Sequence, residues 1–481
     1  MSLRALERAG LLLLTVAALV LWLAYPVAPT FDSQWSLVWG RELLDGGLPS
    51  FDGYRVPTEH PLWVAASVLL VPLGGDAAPR ALTLLVLLSY VAVLAGLYRL
   101  GRHAFGVAAG VVAVVLLVSR LDFGFWALSG FVDVPYLALL TWAAALEAER
   151  PRRGTAVWLL LGAAGLLRPE AWLFAGAYGL WVVWPRRRET AAWVRAGAWV
   201  AAPVALWALT DLVVTGNPAY SFSMSTDHAA ELGRSRSLLD LPRSTLSSAE
   251  EVLKPPVVLL GLLGFGAALR VRRRVRLRVP LVFLALGLVG FVVVSATGFS
   301  VIPRYFATPA LPVVLFAALA LTGWTRLASG AGRTAWAAVA LVAVLAGGAW
   351  QVTRFDPAKV VEELRYRERV VAELDAALDT PAARDGRRCG PTSVPNHLLQ
   401  PYVIWDLHTS PGAVVARTDT SRPSPRSGVA LLTLTGRLNA HPAYGPLNPR
   451  LRDPVTVLIP PDGFLRAATA PLFATYVGCP S

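Results

Sequence analysis

The sequence predicts a polytopic α-helical membrane protein: about eleven transmembrane helices, interfacial helices in the first external loop, and a small C-terminal extracytoplasmic α/β domain. Three observations predict it. Of the 481 residues, 55% are hydrophobic and only 16% are charged, well below the charge of an ordinary soluble chain. Long apolar runs such as LLLLTVAALVLWLAYPV and VPLVFLALGLVGFVVVSA recur, several of them reaching the roughly 20 residues that a bilayer helix needs. Between the runs stand short arginine clusters: Arg150, Arg152 and Arg153; Arg186, Arg187 and Arg188; Arg270 through Arg278. That is the pattern of cytoplasmic loops under the positive-inside rule. The same dispersal argues against nucleic acid as a partner, although the net charge is +13. Lysine occurs only as Lys254 and Lys359, a compositional bias that carries no function.

The elements follow from the N-terminus. A basic flank with Arg4 and Arg8 precedes the first run and reads as an uncleaved anchor with a cytoplasmic N-terminus. Residues 9–28 then cross outward. The segment HPLWVAASVLLVPLG (60–74) is short and broken by prolines near both ends. Counted as a crossing it would put every later arginine cluster outside, so it is read as a helix at the outer face. Spans then follow at 81–98, 104–118, 134–146, 154–168, 170–184, 191–213, 255–269, 279–297, 305–325 and 334–350. The parity leaves residues 351–481 outside, behind a membrane unit of residues 1–350.

The tail opens with VVEELRYRERVVAELDAAL, where Val360, Leu364, Val371, Leu374 and Leu378 mark one helical face. GVALLTLTG and VTVLIP read as strands among Pro/Gly-rich connections. The two cysteines, Cys389 and Cys479, bracket this region, which suggests one disulfide in an oxidising compartment; two unpaired thiols are the alternative. No internal repeat, Gly-rich phosphate loop, CxxC or His cluster of metal spacing occurs.

The middles of the spans are almost free of charge. Ionisable groups gather instead at the predicted outer ends: Asp32, Asp122, Asp133, Arg168, Glu170, Asp211 and Arg304. A transporter places such groups near the midplane. Chemistry at the outer face on a lipid-borne substrate fits this distribution better.

Four stretches then carry a resemblance. PTFDSQWSLVWGRELLDGG followed by PTEHPLW resembles the first external loop of the GT-C class of membrane glycosyltransferases, which includes protein O-mannosyltransferases and the aminoarabinose transferase of lipid A. In that class an acid just after the first span precedes an interfacial helix and a His/Lys-Pro-Pro-type turn. Here Glu59-His60-Pro61 keeps one proline of the turn. LSGFVDVPYLALL resembles the second external loop, and GLLRPEAWLF and RYFATPALP resemble further recurrent stretches. The resemblance covers about residues 10–325 and leaves the tail unmatched.

It implies an enzyme that passes a hexosyl or pentosyl group from a polyprenyl-phosphate sugar to an acceptor hydroxyl of a glycan, lipid or protein, with inversion. A hydroxyl is a weak nucleophile, so a carboxylate within hydrogen-bond reach serves as general base. The departing phosphate needs cations or hydrogen-bond donors. Asp32 is the candidate base and Asp133 the second carboxylate, with Asp122 its rival. Arg168, Arg304 and Tyr305 are the candidates for the phosphate. Glu170, His60, Glu59 and Tyr54 are further substrate-binding candidates. A divalent cation is compatible with the class, yet no ligand set stands out.

Each residue also has a plain structural reading. Asp32 and Asp133 would cap the helices they precede, Trp35 and Trp39 would anchor in the interface, and Arg168 would snorkel to headgroups. His60 would be a satisfied interfacial histidine. The polar loop 216–254 either closes over an acceptor or is a connector. Two other functions stay open: a flippase or transporter of lipid-linked sugars, and a non-catalytic scaffold that presents the tail.

Overall fold

The computed structural model describes residues 3–25, 29–233, 238–354, 356–419, 421–447 and 455–480. The last three residues of the predicted first span, 26–28, fall outside these. Helices α1 (Leu3–Ala24), α2 (Phe31–Leu44) and α3 (Pro61–Leu70) lead to the long α4 (Ala77–Phe105). Next come α5 (Val107–Val118), α6 (Leu121–Leu128), α7 (Asp133–Glu149), α8 (Thr155–Gly165), α9 (Ala171–Val183) and α10 (Thr190–Thr215). The polar loop holds α11 (Tyr220–Glu231) and α12 (Leu241–Leu253). The helices α13 (Pro255–Arg270), α14 (Arg278–Ala296), α15 (Ala307–Thr322) and α16 (Ala331–Arg354) complete the apolar part.

The chain is a multi-pass membrane protein. Among the described residues six helices are long and apolar enough to cross a bilayer: α1, α4, α10, α14, α16 and Pro303–Arg326, which contains α15. The bent pairs α5–α6 (66°) and α12–α13 (108°) raise the number to eight if each is one span. Three predicted spans are the helices α7, α8 and α9, of 17, 11 and 13 residues, each shorter than the roughly 20 a crossing needs. The stretch 60–74 forms only the ten-residue α3 and a 3-10 turn, about 15 Å of α-helix.

Position in the bundle follows from composition. Helices α1 and α16 expose Leu12, Leu13, Leu23, Val339, Val342 and Leu345, surface that only lipid covers well. Helix α15 is buried almost throughout. Its neighbour α13 approaches it through Gly261 and Gly264, and any side chain on Gly264 would strike the Phe316 carbonyl. Small residues matter here because lipid gives no hydrophobic drive to pair helices.

Residues 357–480 bring α17 (Pro357–Leu378), with Leu364, Leu374 and Leu378 inside, and a mixed five-stranded sheet. Its strands are β1 (Thr392–Val394), β2 (Val414–Ala416), β3 (Gly428–Thr433), β4 (Leu465–Thr469) and β5 (Phe473–Gly478), in the order β2-β1-β3-β5-β4. The β2-β1-β3 part is parallel and β3-β5-β4 antiparallel. Cys389 and Cys479 are disulfide-bonded, with Cα atoms 5.3 Å apart.

Two expectations are corrected. VTVLIP is not a strand; its first four residues, Val455–Leu458, form a 3-10 turn. The Arg417 guanidinium takes the Val457 carbonyl at 2.7 Å and also binds that of Ile459, filling the role a neighbouring strand would play. Nor are Trp35 and Trp39 interface anchors: both are fully enclosed. The tail helix Gln400–Asp406 covers α2, and Arg41 of α2 donates to the carbonyls of Ile404 (2.9 Å) and Trp405 (3.0 Å) at that helix's end. One hydrophobic core consequently runs from Trp35 in α2 to Phe473 in β5.

Candidate functional site

Four helix entries converge. Asp32 lies in the first turn of α2 and Asp133 opens α7. Arg168 sits in the turn between α8 and α9, and Arg304 in the 3-10 turn Pro303–Phe306 that enters α15. Pro135, Pro169 and Pro303 stand within two residues of Asp133, Arg168 and Arg304, because proline tolerates the first turn, where the backbone N–H is unpaired. Neither acid caps its helix. Thr30 and Val132 hold the capping positions, without side-chain caps. The carboxylates instead face the positive ends of their helices, and each meets an arginine.

Arg168 binds Asp133 through Nη1 and Glu170 through Nη2 (2.6 Å). Arg304 Nη2 donates to Asp32 Oδ2 at 3.3 Å, and its Nε stands 3.9 Å from Asp133 Oδ2. The Arg168 guanidinium lies 4.2 Å from the centre of the Tyr305 ring, a cation–π contact that fixes both planes. Asp133 is 4% exposed and Arg168 8%, whereas the Asp32 side chain is 25% exposed. Asp133 Oδ2 and Arg304 Nε are buried without a hydrogen bond, so the network retains an acceptor and a donor for something else.

Asp133, Arg168, Glu170, Arg304 and Tyr305 form one wall of a cleft whose other walls are Tyr136, Phe174, Gly287, Gly290, Phe291 and Thr308. Phe174 and Leu286 also line a second, almost wholly apolar cavity. It runs between α7, α8, α9 and α14 to Glu147, Trp181 and Arg278. Asp133 and Glu147 are 14 residues apart on α7, roughly 21 Å along its axis. The charged cleft and the apolar cavity thus adjoin, with Phe174 and Leu286 in the wall of both.

Sequence reasoning named Asp32, Asp133, Arg168, Glu170, Arg304 and Tyr305, and these come together. His60 lies beside them, at the entry to α3. Burial lowers its pKa from the ordinary 6.5, partly countered by Asp32 and reinforced by Arg168, so the ring is neutral at pH 7. Glu59 points elsewhere: it is buried facing Asp211, and burial plus that negative charge push its pKa up to about 7. Tyr54 lies at the tail, its ring 5.9 Å from that of His397. Asp122 pairs with Lys254 at 3.2 Å on a part-exposed surface. Asp211 accepts from the Ser221 hydroxyl (2.7 Å) and N–H (3.0 Å), tying α11 to α10. Tyr136 and the glycines of α14 escaped sequence reasoning. Tyr136 had a signal, since it follows Asp133 by three residues and shares its helix face. Among the described residues no three His, Cys, Asp or Glu side chains are grouped to hold a metal ion.

No protein-family model and no curated protein matches the chain significantly. Its structure, however, is similar to the crystal structure of ArnT from Cupriavidus metallidurans bound to undecaprenyl phosphate. The TM-score is 0.56 at 14% identity, over 98% of this chain and 99% of that one. The fold is that of ArnT. ArnT has the GT-C architecture that the first-loop and second-loop motifs resemble, so fold and motifs agree. The ArnT likeness extends over the C-terminal sheet as well, because nearly the whole of each chain is aligned.

Proposed function

We propose that the chain is a membrane glycosyltransferase that moves a sugar from a polyprenyl phosphate to an acceptor hydroxyl at the outer face of a bacterial plasma membrane. One observation carries the reading: the arginine–carboxylate network borders a cleft that shares Phe174 and Leu286 with an adjoining apolar cavity. A phosphate esterified to a long hydrocarbon asks for that pairing, and ArnT was crystallised with such a lipid. On this reading residues 1–350 form the membrane unit, with the N-terminus cytoplasmic, and residues 351–481 the extracytoplasmic domain.

Each group has a task. Asp32 Oδ2 is held by Arg304, which leaves Oδ1 to take the proton of the acceptor hydroxyl. The freed oxygen bonds to the anomeric carbon as the bond from that carbon to the phosphate oxygen breaks. Attack from the face opposite the phosphate inverts the centre. The leaving polyprenyl phosphate gains negative charge, which Arg304 and Arg168 stabilise by charge-assisted hydrogen bonds. Asp133 and Glu170 keep the two guanidiniums in place, and Tyr305 stacks on Arg168. The lipid tail lies in the apolar cavity, and the acceptor is a glycan, lipid or protein.

The scaffold alternative requires the two acids to point apart, and Arg304 joining both speaks against it. The flippase alternative calls for charge in mid-span, whereas this cluster lies at helix entries. The test is turnover of a panel of polyprenyl-phosphate sugars by wild type and Asp32→Asn, scoring released polyprenyl phosphate. Release by wild type alone supports the reading. Equal release by both moves the base away from Asp32, and translocation of an intact donor without release would favour the flippase.

A further inference from the structure

The parallel strands of the tail end in a row of polar side chains that the fold leaves unsatisfied. β1 pairs with β2 Val394 to Ala416, and with β3 Ser393 to Ala430. Carried on, that register sets Asn396, Thr418 and Thr433 side by side, on the face shared by Val394, Ala416 and Leu431. The backbone stays extended at Asn396 (φ −149°, ψ 174°), and the Arg417 N–H still donates to the Val394 carbonyl at 2.9 Å. All three side chains are enclosed, at 0%, 3% and 6% exposure. Yet Oδ1 and Nδ2 of Asn396 and the hydroxyls of Thr418 and Thr433 have no hydrogen-bond partner. Buried polar atoms are nearly always paired, because each one left alone costs its desolvation. Four together at one edge form a set of donors and acceptors suited to a polar ligand.

Location and chemistry narrow what it is. Open α/β sheets take ligands at the carboxyl ends of their parallel strands, which is where this row stands. Its members are an amide and two hydroxyls, donors and acceptors without charge. The nearby Asp419 is already committed, accepting from the Ser421 N–H (3.0 Å) and pairing with Arg422 (3.5 Å). A phosphate would call for cations, and an apolar ligand would leave the row as unsatisfied as it is. Aromatic rings adjoin: His397 meets Phe31 and Tyr54 edge-on, at 5.6 and 5.9 Å. Phe31 is the chain neighbour of Asp32, the candidate base.

We propose that Asn396, Thr418 and Thr433 form a binding site for an uncharged sugar ring at the tail's face toward the first loop. That the ring belongs to a transfer reaction rests on the function proposed above. Residues 52–54 close this edge, through the Tyr54 N–H on Gln400 (3.1 Å) and Arg422 on the Asp52 carbonyl (2.7 Å). Entry requires this segment to move, since the three side chains are enclosed.

The test is saturation-transfer NMR on the full chain in nanodiscs, with free glucose, mannose, galactose, arabinose and xylose. It compares wild type, Thr418→Val, Thr433→Val and Thr418→Ser. At least one sugar should bind wild type, and each valine variant should weaken it roughly tenfold, the value of about one hydrogen bond. Thr418→Ser should retain binding, and the valine variants should melt no lower than wild type. No sugar bound to wild type, or valine variants that bind as wild type does, overturns the proposal. If a bound sugar is displaced by a polyprenyl-phosphate sugar, the site takes the donor's ring; if it persists, the acceptor's. Both outcomes support a sugar site. Sugar binding without release of polyprenyl phosphate in the turnover assay would sink the transferase and keep the site. Turnover with no effect of the valines on binding would do the reverse.

Discussion

Arg304 and Asp32 lie 272 residues apart in the chain and meet at 3.3 Å, while the same guanidinium stands 3.9 Å from Asp133. One cation therefore stands between the two carboxylates. The arrangement orients Asp32, the more exposed acid, and leaves Arg304 Nε free of hydrogen bonds. On the proposed mechanism that atom is ready for a phosphate oxygen.

Arg168 is the counter-ion of a buried carboxylate. Arg168→Met would leave Asp133 enclosed with only the more distant Arg304 beside it. Breaking one side of a buried pair costs about 3–5 kcal/mol. Thermal unfolding in detergent should show that loss, and Arg168→Met with Asp133→Leu should recover part of it. A double variant as unstable as the sum of the singles would refute the pairing.

Glu59 gives the fold a pH dependence with a definite sign. Its pKa rises from 4.5 to about 7, through burial and the neighbouring Asp211. Between those values the folded chain keeps a proton that the unfolded chain has released. Stability therefore falls as pH rises from about 4.5 to about 7 and is not regained above. Glu59→Gln should flatten that slope and be the more stable protein at pH 8, by on the order of 2–3 kcal/mol. Melting curves of both proteins from pH 4 to pH 8 decide it.

The disulfide closes a separation of 90 residues around the tail. Constraining a loop of that length stabilises by about 4–5 kcal/mol on the chain-entropy account. Cys389→Ser should lower the melting temperature of the tail's transition, and a thiol reductant should bring wild type to the same value. Wild type that melts alike with and without reductant would contradict this.

Gly290 offers a probe of the cleft. A Cβ there would meet Glu170 and Leu173 at an ordinary 3.8 Å, so Gly290→Ala should fold and work. Gly290→Phe should fill the cleft and raise the KM for the lipid donor at least tenfold with a smaller change in kcat. By contrast, a Cβ on Gly287 would come within 2.9 Å of the Pro309 backbone, so Gly287→Ala should destabilise. An unchanged KM in the Gly290→Phe variant would place the donor elsewhere.

Hydropathy and arginine spacing determined by themselves that the chain crosses a membrane many times, because burying roughly 20 apolar residues in lipid needs no partner. The helix of residues 360–378 was legible for a similar reason: one face of leucines and valines suffices. The helix-entry charges were legible too, since an acid or arginine beside proline at the end of an apolar run stands out in one dimension. Tertiary structure alone decided which of them meet. Asp32 with Arg304 and Asp133 with Arg168 are pairings across the bundle, and Asp122, equally prominent in sequence, pairs with Lys254 instead. It also decided that the tail covers α2, which turned Trp35 and Trp39 from expected lipid anchors into core. VTVLIP was misread because strand propensity reports fit to a neighbouring strand, and a guanidinium took that place. The row of Asn396, Thr418 and Thr433 lies beyond sequence reasoning altogether, for it exists only through the register of three strands. Local chemistry is written along the chain, whereas proximity between distant segments is set by packing, which no single segment encodes.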